Sequence, residues 1–422
     1  MMGEIKQADK LDASVTVPGS KSYTQRALVI ASLAGGKSFI RNALLSEDTN
    51  YLIDALRSLG AGILTSKDDI IITGVDGRTE NQGQTIYLGN NGTALRFLTT
   101  LVSLGSGCVT LDGSARLRER PLKPLLEALE GLGVVSRCSG DYGYPPVVVQ
   151  GGGLGGGSVI FTDSESSQYI SSILISAPYA KNDIEIELRG TTVSMPYIDM
   201  TIDTMRHFGV EVEKEGSDKL RVASGQRYTG GKYLVEGDVS SASYFFVAAA
   251  LTGETVKVVN INPETRQGDI AFLRIIESLG CRVSSGENCV EVTGTGLRKG
   301  DYEIDMSDMP DMVPSLAILA AFRNGLTVIK NVSHLRLKES NRLEALVNEL
   351  NRIGVEARES ADGIIIRGGS PRGAEIETYN DHRIAMSFAV AGLLVPGIRI
   401  RDKQCVEKSF PTFWDEFGKL HL

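Results

Sequence analysis

The chain has 422 residues, of which 42% are hydrophobic and 23% charged, and its formal net charge at pH 7 is −8. This length is typical of two or three domains, and the composition excludes a disordered chain. The excess of acidic over basic residues, 52 against 44, argues against a protein that binds the nucleic-acid backbone nonspecifically.

One helical phrase recurs five times along the chain. Apolar residues at i, i+4 and i+7 give each copy a one-sided stripe, and a glycine follows where a left-handed C-terminal cap would lie. The alternating residues after the glycine predict a strand. The copies lie at 52–63, 125–136, 201–212, 272–283 and 346–357, with the glycines Gly60, Gly133, Gly209, Gly280 and Gly354.

A second phrase recurs six times in phase with the first. Each copy opens on a polar cluster, continues as a helix that is apolar on nearly every side, and ends before an alternating strand. We therefore expect these helices to be buried on most faces. They open at Ser22-Tyr23, Gly92-Thr93, Ser167-Gln168, Ser240-Ser241, Pro310-Asp311 and Asp381-His382.

The two phrases together form a βαβ-like unit. The capping glycines are 73, 76, 71 and 74 residues apart, so each copy is a whole supersecondary unit and not one turn of a solenoid. This period predicts an α/β (α+β) fold in which six copies close into two globules of three. The repeat alone does not prove the three-plus-three division.

Basic residues cluster around the openings of the predicted buried helices, although the chain is acidic. Helix N-termini present unsatisfied N–H donors and a partial positive charge, so several that converge would bind anions. Capping explains any single Ser or Asp at these places, but it does not explain the cations. The pattern predicts a substrate with several phosphate or carboxylate groups. The cations are Lys21, Arg26, Arg96, Arg120, Arg342, Arg383 and Lys408.

Two glycine-rich segments resemble nucleotide-binding motifs but lack their context. The GKS at 36–38 has Ala31 where a phosphate loop requires glycine, and it follows a predicted helix instead of opening one. The GxGxxG match at 151–156 precedes a strand pattern where a dinucleotide-binding fold needs a helix. Both segments are predicted to be loops.

Asp311 and Glu339 are the candidates for acid–base chemistry. Taken alone, Asp311 is more simply a helix N-cap, and Glu339 a solvated partner of Arg342 three residues later. Because both lie among cations, a carboxylate pair for proton transfer is also plausible. His382 is either a capping residue or a site residue, and the pattern does not separate the two.

The cysteines and the apolar segments indicate the compartment. Five cysteines without a CxxC pair, together with only four histidines, support neither a disulfide framework nor a zinc site. The N-terminal residues lack a signal-peptide core, and the longest apolar stretch, 384–395, is shorter than the ~20 residues that span a bilayer. We expect a cytoplasmic protein without a membrane segment.

Nine ordered segments resemble the 5-enolpyruvylshikimate-3-phosphate synthase family. Together they run from residue 15 to residue 414, and their order is far more specific than any one of them. They are VTVPGSKSYTQRAL at 15–28, LGNNGTALR at 88–96, RLRERP at 116–121, SSQYISSIL at 166–174, SMPYID at 194–199, EGDVSSASYF at 236–245, LRLKESNRL at 335–343, YNDHRIAM at 379–386 and CVEKSFPTFW at 405–414.

The resemblance implies an enolpyruvyl transferase fold of two globular domains, each with three βαβαββ repeats around buried parallel helices. The chain would cross between the domains near 18–20 and near 236–238. The first domain would then be discontinuous, 1–18 with 238–422, and the second would be 19–237. We expect a monomer.

The family transfers the enolpyruvyl group of phosphoenolpyruvate to the 5-hydroxyl of shikimate 3-phosphate and releases phosphate, on the route to chorismate and the aromatic amino acids. The resemblance implies no metal and no organic cofactor. The implied contacts of shikimate 3-phosphate are Lys21, Ser22, Arg26, Ser166, Ser167, Gln168, Ser194, Tyr197, Asp311, His334 and Lys338. Those of phosphoenolpyruvate are Lys21, Gly92, Arg120, Gln168, Arg342, Arg383 and Lys408.

The resemblance also implies catalytic roles. Glu339 would protonate the methylene carbon, Asp311 would accept a proton, and Lys21 would support the phosphate and the hydroxyl around a tetrahedral intermediate. Proton transfer of this kind contributes roughly 10²- to 10⁴-fold, so positioning and cationic stabilisation must supply the remaining rate enhancement.

Three residues depart from the family's usual pattern. Asn91 stands where a small residue is usual, Phe97 where many members have proline, and His334 where asparagine is frequent. All three lie beside implied ligand contacts. They leave the chemistry in place but put the sensitivity to the inhibitor glyphosate and the substrate affinity in question.

Two other classes of protein compete with this interpretation. UDP-N-acetylglucosamine enolpyruvyl transferases share the fold and chemistry, but they have asparagine after the first-motif lysine and a reactive loop cysteine. Here Ser22 follows Lys21, and the segment 116–121 has no cysteine. A sliding clamp is also built from repeats, but it needs a basic lumen and no paired carboxylates.

Overall fold

The computed structural model describes residues 3–7 and 11–421. Residues 1–2 and 8–10 belong to the N-terminal stretch in which the sequence shows no signal-peptide core, and they lie outside the described residues, as does residue 422. The described chain forms two compact units, each with its own hydrophobic core. The continuous unit is Gly19–Val235, and the discontinuous unit joins the residues up to Pro18 to those from Glu236 onward.

All α-helices except the short α4 and α13 follow the two phrases of the sequence. The continuous unit contains α1 (Lys21–Leu33), α2 (Glu47–Ser58), α3 (Gly92–Leu101), α4 (Ala115–Arg118), α5 (Lys123–Gly131), α6 (Ser167–Ser176) and α7 (Pro196–His207). The discontinuous unit contains α8 (Val239–Thr252), α9 (Phe272–Ser278), α10 (Val313–Ala321), α11 (Arg342–Arg352), α12 (His382–Gly392) and α13 (Phe413–Gly418).

The strands lie before and between these helices, singly or in runs of two or three. In chain order they are β1 (Gly3–Glu4), β2 (Asp12–Thr16), β3 (Lys37–Arg41), β4 (Gly62–Ser66), β5 (Asp69–Thr73), β6 (Thr85–Tyr87), β7 (Cys108–Asp112), β8 (Ser136–Cys138), β9 (Val147–Gln150), β10 (Gly157–Thr162), β11 (Ile184–Arg189), β12 (Glu213–Glu215), β13 (Lys219–Val222), β14 (Lys232–Leu234), β15 (Thr255–Val259), β16 (Arg282–Gly286), β17 (Cys289–Thr293), β18 (Tyr302–Asp305), β19 (Leu326–Lys330), β20 (Glu356–Glu359), β21 (Ile364–Arg367), β22 (Glu375–Ile376) and β23 (Arg399–Ile400).

The sheets repeat one topology, as the period of the sequence predicts. The order β6-β7-β9-β8 recurs as β10-β11-β13-β12 and β18-β19-β21-β20, with a parallel first pair and an antiparallel hairpin after it. In the continuous unit β14 pairs in parallel with β3, so its first and last strands share a sheet. In the discontinuous unit β2 pairs in parallel with β15, which joins the two chain segments of that unit in one sheet. The predicted α/β (α+β) repeat is confirmed.

Backbone geometry confirms the predicted helix caps. The five capping glycines have φ between 82° and 109°, a left-handed conformation that disfavours residues with a Cβ. A strand begins two or three residues after each glycine in four copies and four residues after it in the copy that ends α7. The GxGxxG segment likewise leads into β10, so it is not the start of a dinucleotide-binding helix.

The helices of the second phrase are buried as predicted. Every residue from Tyr23 to Leu33 of α1 is buried, and so is every residue of α10 and α12. The fifth copy differs in detail, because Pro310–Met312 forms a 3-10 turn before α10 begins at Val313. Asp311 therefore lies in that turn, and its side chain is not the N-cap of the helix.

One boundary differs from the sequence-based prediction. Residues 236–237 were expected in the second domain, but both belong to the discontinuous unit. The Glu236 carboxylate accepts hydrogen bonds from Asn262 and Thr265, and the Gly237 carbonyl accepts one from Gln267. These bonds tie the segment to residues that follow β15.

In the described part of the chain, no helix combines the length and the apolar character that crossing a membrane requires.

Candidate active site

Arg26 is a buried cation held by uncharged acceptors in the continuous unit. Its Nε donates to the Thr201 hydroxyl at 2.7 Å, and its two terminal nitrogens donate to the carbonyls of Ser22 at 3.0 Å and Tyr197 at 2.9 Å. Burial lowers the pKa of Arg26 to about 10. A desolvated guanidinium with neutral partners is suited to attract an anionic ligand.

The N-terminus of α1 carries two further predicted residues. Lys21 and Ser22 open the helix, and the Ser20 side chain caps it by accepting from the Tyr23 N–H. Lys21 Nζ lies 3.2 Å from the buried Asp48 carboxylate on α2. Sequence reasoning missed Asp48, because its only signal is an acidic residue in the first turn of a helix.

Asn91 explains one departure from the family pattern. Its Oδ1 caps α3 by accepting from the Ala94 N–H at 2.9 Å. Its Nδ2 donates to the Asp48 carbonyl at 2.7 Å and to the Gln25 side chain at 3.0 Å. Asn91 therefore ties the start of α3 to α1 and α2, which a small residue could not do.

Gly92 and Arg120 lie against each other. Arg120 is buried, and one terminal nitrogen donates to the Asn90 carbonyl at 3.3 Å. A Cβ added to Gly92 would lie 2.3 Å from Cζ of Arg120. The glycine thus leaves the space that the guanidinium fills at the N-terminus of α3.

Arg96 holds Gly92, Gln168 and the main chain next to Arg120 in place by hydrogen bonds. One terminal nitrogen donates to the Gly92 carbonyl at 3.1 Å and to Gln168 Oε1 at 3.2 Å, and the other donates to the Pro121 carbonyl at 3.1 Å. The Tyr169 hydroxyl donates to the same Pro121 carbonyl at 2.8 Å. Two donors therefore fix the main chain directly after Arg120. Sequence reasoning missed Tyr169 because an aromatic residue in a buried helix usually indicates only core packing.

The other predicted residues of this unit lie at two helix starts. Ser166 Oγ accepts from the Gln168 N–H at 3.3 Å at the start of α6, where Ser167 is the first helical residue, and Gln168 Nε2 donates to the Thr93 hydroxyl at 3.0 Å. Ser194 has a φ of 60° and is buried, and its carbonyl accepts from the Tyr197 N–H at 3.1 Å near the start of α7. Tyr197 in turn binds Arg26 through its carbonyl.

In the discontinuous unit, Arg342 is surrounded by carboxylates. It lies 2.8 Å from Asp381, 2.9 Å from Asp311 and 2.7 Å from Glu339, and 1% of its side chain is exposed. Burial disfavours its charge, but the three carboxylates raise the pKa of Arg342 above its usual value. The structure therefore brings the two predicted carboxylates to one guanidinium.

Asp311 lies between two arginines. Its Oδ1 is 2.9 Å from Arg342 and its Oδ2 is 2.7 Å from Arg383. Burial opposes its ionisation, yet the charges of Arg383, Arg342 and Lys338 hold the pKa of Asp311 well below its usual range. Asp311 is consequently an ionised carboxylate that can accept a proton, and the simple capping interpretation is wrong.

Glu339 is the i,i+3 partner of Arg342, as the simpler interpretation expects, but it is not solvated. Only 10% of its side chain is exposed. Arg383 completes the cluster from α12, where it donates to the Ser240 hydroxyl at 3.1 Å. The N-cap of α12 is Asp381, so His382 is not the capping residue, and its ring is fully buried beside Asp381.

His334 offers unused hydrogen-bonding atoms. It is buried, and within the described residues neither ring nitrogen has a hydrogen-bond partner. Burial and the nearby charge of Lys338 lower the pKa of His334 to about 3, so the ring is neutral. Lys338 follows the 3-10 turn that contains His334, and Lys408 is buried at the end of another 3-10 turn.

Among the described residues, no group of three or more His, Cys, Asp or Glu could hold a metal ion.

Comparisons with known proteins agree over nearly the whole chain. The sequence pattern of the EPSP synthase (3-phosphoshikimate 1-carboxyvinyltransferase) family matches residues 5–417. A 3-phosphoshikimate 1-carboxyvinyltransferase of Syntrophobacter fumaroxidans is 44% identical, with both chains covered completely. One of Haemophilus influenzae is 40% identical over 98% of this chain and 97% of its own. The solved EPSP synthase of Acinetobacter baumannii superposes with a TM-score of 0.81 at 29% identity, covering 100% of this chain and 98% of that one.

Proposed function

Because the chain belongs to the EPSP synthase (3-phosphoshikimate 1-carboxyvinyltransferase) family, we propose that it transfers the enolpyruvyl group of phosphoenolpyruvate to the 5-hydroxyl of shikimate 3-phosphate. Phosphate is released, and the product leads toward chorismate and the aromatic amino acids. The observation that carries the chemistry is a cluster of charged side chains. In it Asp311 lies between Arg342 and Arg383, and Glu339 forms an ion pair with Arg342.

The continuous unit supplies most contacts of shikimate 3-phosphate in this proposal. Arg26 keeps a desolvated charge on neutral partners, which suits a phosphate or an oriented hydroxyl. Hydroxyls and N–H groups at the starts of α1, α6 and α7 add directional hydrogen bonds. The proposed residues are Lys21, Ser22, Arg26, Ser166, Ser167, Gln168, Ser194 and Tyr197.

The family resemblance adds three residues to the proposed contacts of shikimate 3-phosphate. They are Asp311, His334 and Lys338. The two ring nitrogens of His334 are buried without a described partner, so a ligand hydroxyl would satisfy at least one of them. As a neutral imidazole, His334 can donate from one nitrogen and accept at the other.

Phosphoenolpyruvate needs cations for both its carboxylate and its phosphate. Planar guanidinium forks bind such groups in two-point contacts, which supports the arginines in this role. Gly92 lies against one of them, Arg120, and its missing side chain leaves room for that guanidinium at the start of α3. The proposed residues are Lys21, Gly92, Arg120, Gln168, Arg342, Arg383 and Lys408.

The two carboxylates transfer the protons in this proposal. The neighbouring arginines keep the Asp311 carboxylate ionised, so we assign it the role of proton acceptor for the attacking hydroxyl or the methyl group of the intermediate. Glu339 is then the donor to the methylene carbon, and Lys21 supports the phosphate and the hydroxyl. The arginines stabilise the charge that develops in the tetrahedral intermediate.

Phosphate release tests the proposal directly. Purified protein is mixed with phosphoenolpyruvate and shikimate 3-phosphate, and we expect phosphate only when both are present. Activity with UDP-N-acetylglucosamine instead of shikimate 3-phosphate would favour the other enolpyruvyl transferase family. Absence of activity with either acceptor would contradict both proposals.

We also propose that the chain acts as a monomer in the cytoplasm, which light scattering and cell fractionation would check.

A further inference from the structure

Glu349 is a buried carboxylate that the proposed mechanism does not use. It lies on α11, two turns after Arg342, and its side chain is fully buried. Its Oε1 accepts a hydrogen bond from the Tyr379 hydroxyl at 2.9 Å, and its Oε2 accepts one from the Glu377 N–H at 3.1 Å. Arg352 Nε lies 3.1 Å from Oε2. Each oxygen therefore faces a donor, which is the environment of an ionised carboxylate.

Keeping a charge at this position is costly. Burial raises the pKa of the Glu349 carboxyl above its usual value. A neutral side chain of similar size would avoid the desolvation of the anion.

The residues that Glu349 binds lead into a strained turn. Tyr379 and Asn380 have φ values of 55° and 52°, so two consecutive residues with side chains are left-handed. Such conformations cost free energy and persist only where the surrounding structure determines them. The hydrogen bonds to Glu377 and Tyr379 hold the chain directly before and within this turn.

The residue after the turn is Asp381. Its carboxylate accepts from Arg342 Nε at 2.8 Å, from the Ser340 hydroxyl at 2.9 Å and from the Arg383 N–H at 2.9 Å. The same residue is the N-cap of α12 and donates its own N–H to the Thr378 carbonyl at 2.8 Å. The turn thus sets where Arg342 is held and where the helix that carries Arg383 begins.

We propose that Glu349 is a positioning residue: it fixes the left-handed turn Tyr379–Asn380 and, through that turn, the placement of Asp381, on which Arg342 and Arg383 depend. The kinetic consequence rests on the proposed function, in which both arginines bind phosphoenolpyruvate. The structural consequence does not, because it concerns only the contacts among the described residues.

Glu349→Gln is the principal variant. The amide loses the charge that strengthens both bonds, and its NH₂ group would face either the Glu377 N–H, from which it cannot accept, or the Tyr379 hydroxyl, which would have to accept instead of donate. We expect the KM for phosphoenolpyruvate to rise about tenfold, the KM for shikimate 3-phosphate to change less than twofold and kcat to fall less than the KM rises. Tyr379→Phe removes only one of the bonds and should shift the same constant about threefold.

Hydrogen exchange gives a readout that is independent of the reaction. In Glu349→Gln, amides of the peptide 377–386 should exchange at least tenfold faster, while amides of α8 keep their rates. Glu356→Gln is the matched control, since Glu356 is an exposed residue on β20. If Glu349→Gln does not fold, the KM for phosphoenolpyruvate and the hydrogen exchange of 377–386 are both measured on Tyr379→Phe.

The outcomes separate the two proposals. Unchanged exchange in 377–386 together with an unchanged KM for phosphoenolpyruvate overturns the positioning role. Faster exchange throughout the discontinuous unit also overturns it, because Glu349 would then serve only global stability. An unmodified protein that releases no phosphate contradicts the proposed function, whereas local acceleration of exchange in the variant would still support the positioning role.

Discussion

The two units hold the buried arginines of the candidate site in opposite ways. In the continuous unit, Arg26 and Arg96 donate to hydroxyl, amide and carbonyl oxygens. In the discontinuous unit, Arg342 donates to three carboxylates and Arg383 donates to one of them, that of Asp311. Burial lowers the pKa of Arg26 to about 10, whereas the carboxylates raise the pKa of Arg342.

This difference shows how one residue type can serve two purposes. A guanidinium on neutral acceptors retains an electrostatic attraction for an anionic ligand, because no charge beside it cancels its own. A guanidinium between carboxylates has its charge balanced, and in return it sets the protonation of those carboxylates. We therefore expect substitutions in the continuous unit to affect mainly binding, and loss of a carboxylate of the discontinuous cluster to affect mainly turnover.

The largest effect is expected for Asp311→Asn. The amide keeps the shape of the side chain but cannot accept the proton, so kcat should fall by about 10³-fold, within the usual range for general bases. Binding of shikimate 3-phosphate, measured by calorimetry, should weaken far less. A variant with near-normal kcat would show that Asp311 only holds the two arginines.

Glu339→Gln should lower kcat by about 10²-fold if the carboxyl group protonates the methylene carbon. Arg383→Lys is the contrast, because it keeps the charge but loses the planar fork and should chiefly raise the KM for phosphoenolpyruvate. Steady-state kinetics of both variants give the comparison. Near-normal turnover of Glu339→Gln with confirmed substrate binding would mean that Glu339 is only the ion-pair partner of Arg342.

Gly92→Ala should act on binding. The sequence alone suggests that the new methyl group crowds an inhibitor, but the structure places it 2.3 Å from the Arg120 guanidinium, which must move. We expect the KM for phosphoenolpyruvate and the inhibition constant of glyphosate to rise together by about tenfold, roughly 1.4 kcal/mol each. Gly131→Ala is the matched control, because a Cβ there meets no atom within 4 Å.

An inhibition constant that rises while the KM stays unchanged would contradict the displacement of Arg120. It would instead support direct crowding of the inhibitor. Poor inhibition of the unmodified enzyme would direct attention to Asn91 and Phe97, which depart from the family pattern beside this helix start.

The smallest effect is expected for Tyr169→Phe. The variant loses the hydroxyl that donates to the Pro121 carbonyl, while Arg96 still donates to the same oxygen. The KM for phosphoenolpyruvate should rise about threefold with kcat unchanged, which corresponds to the ~0.5–1.5 kcal/mol of one neutral hydrogen bond. A change in kcat alone would contradict the division between binding in this unit and turnover at the carboxylates of the other.

The sequence was most informative where the signal is local. The helical stripes, the capping glycines and the alternating strands depend on neighbours within one turn or one strand, so all five caps could be predicted. The cations at the helix starts could be found because so many occur in an acidic chain. The resemblance to a family then supplied roles that spacing cannot supply.

Partners distant in the sequence could not be predicted. Arg342 and Asp381 are 39 residues apart, and Asn91 binds the main chain of a residue 43 positions earlier. Asp381 has the signature of an ordinary helix cap, and Glu349 that of a polar residue on an amphipathic helix. Their contacts arise only when successive repeats pack side by side.

The repeat architecture, the caps and the kinds of charged group at the helix starts were thus determined by the sequence itself, because they follow from periodicity and local backbone preference. Tertiary structure decided which cation meets a carbonyl and which meets a carboxylate. That choice sets the low pKa of Asp311 and the balanced charge of Arg342, since both depend on burial and on charges a few ångströms away in space and not along the chain.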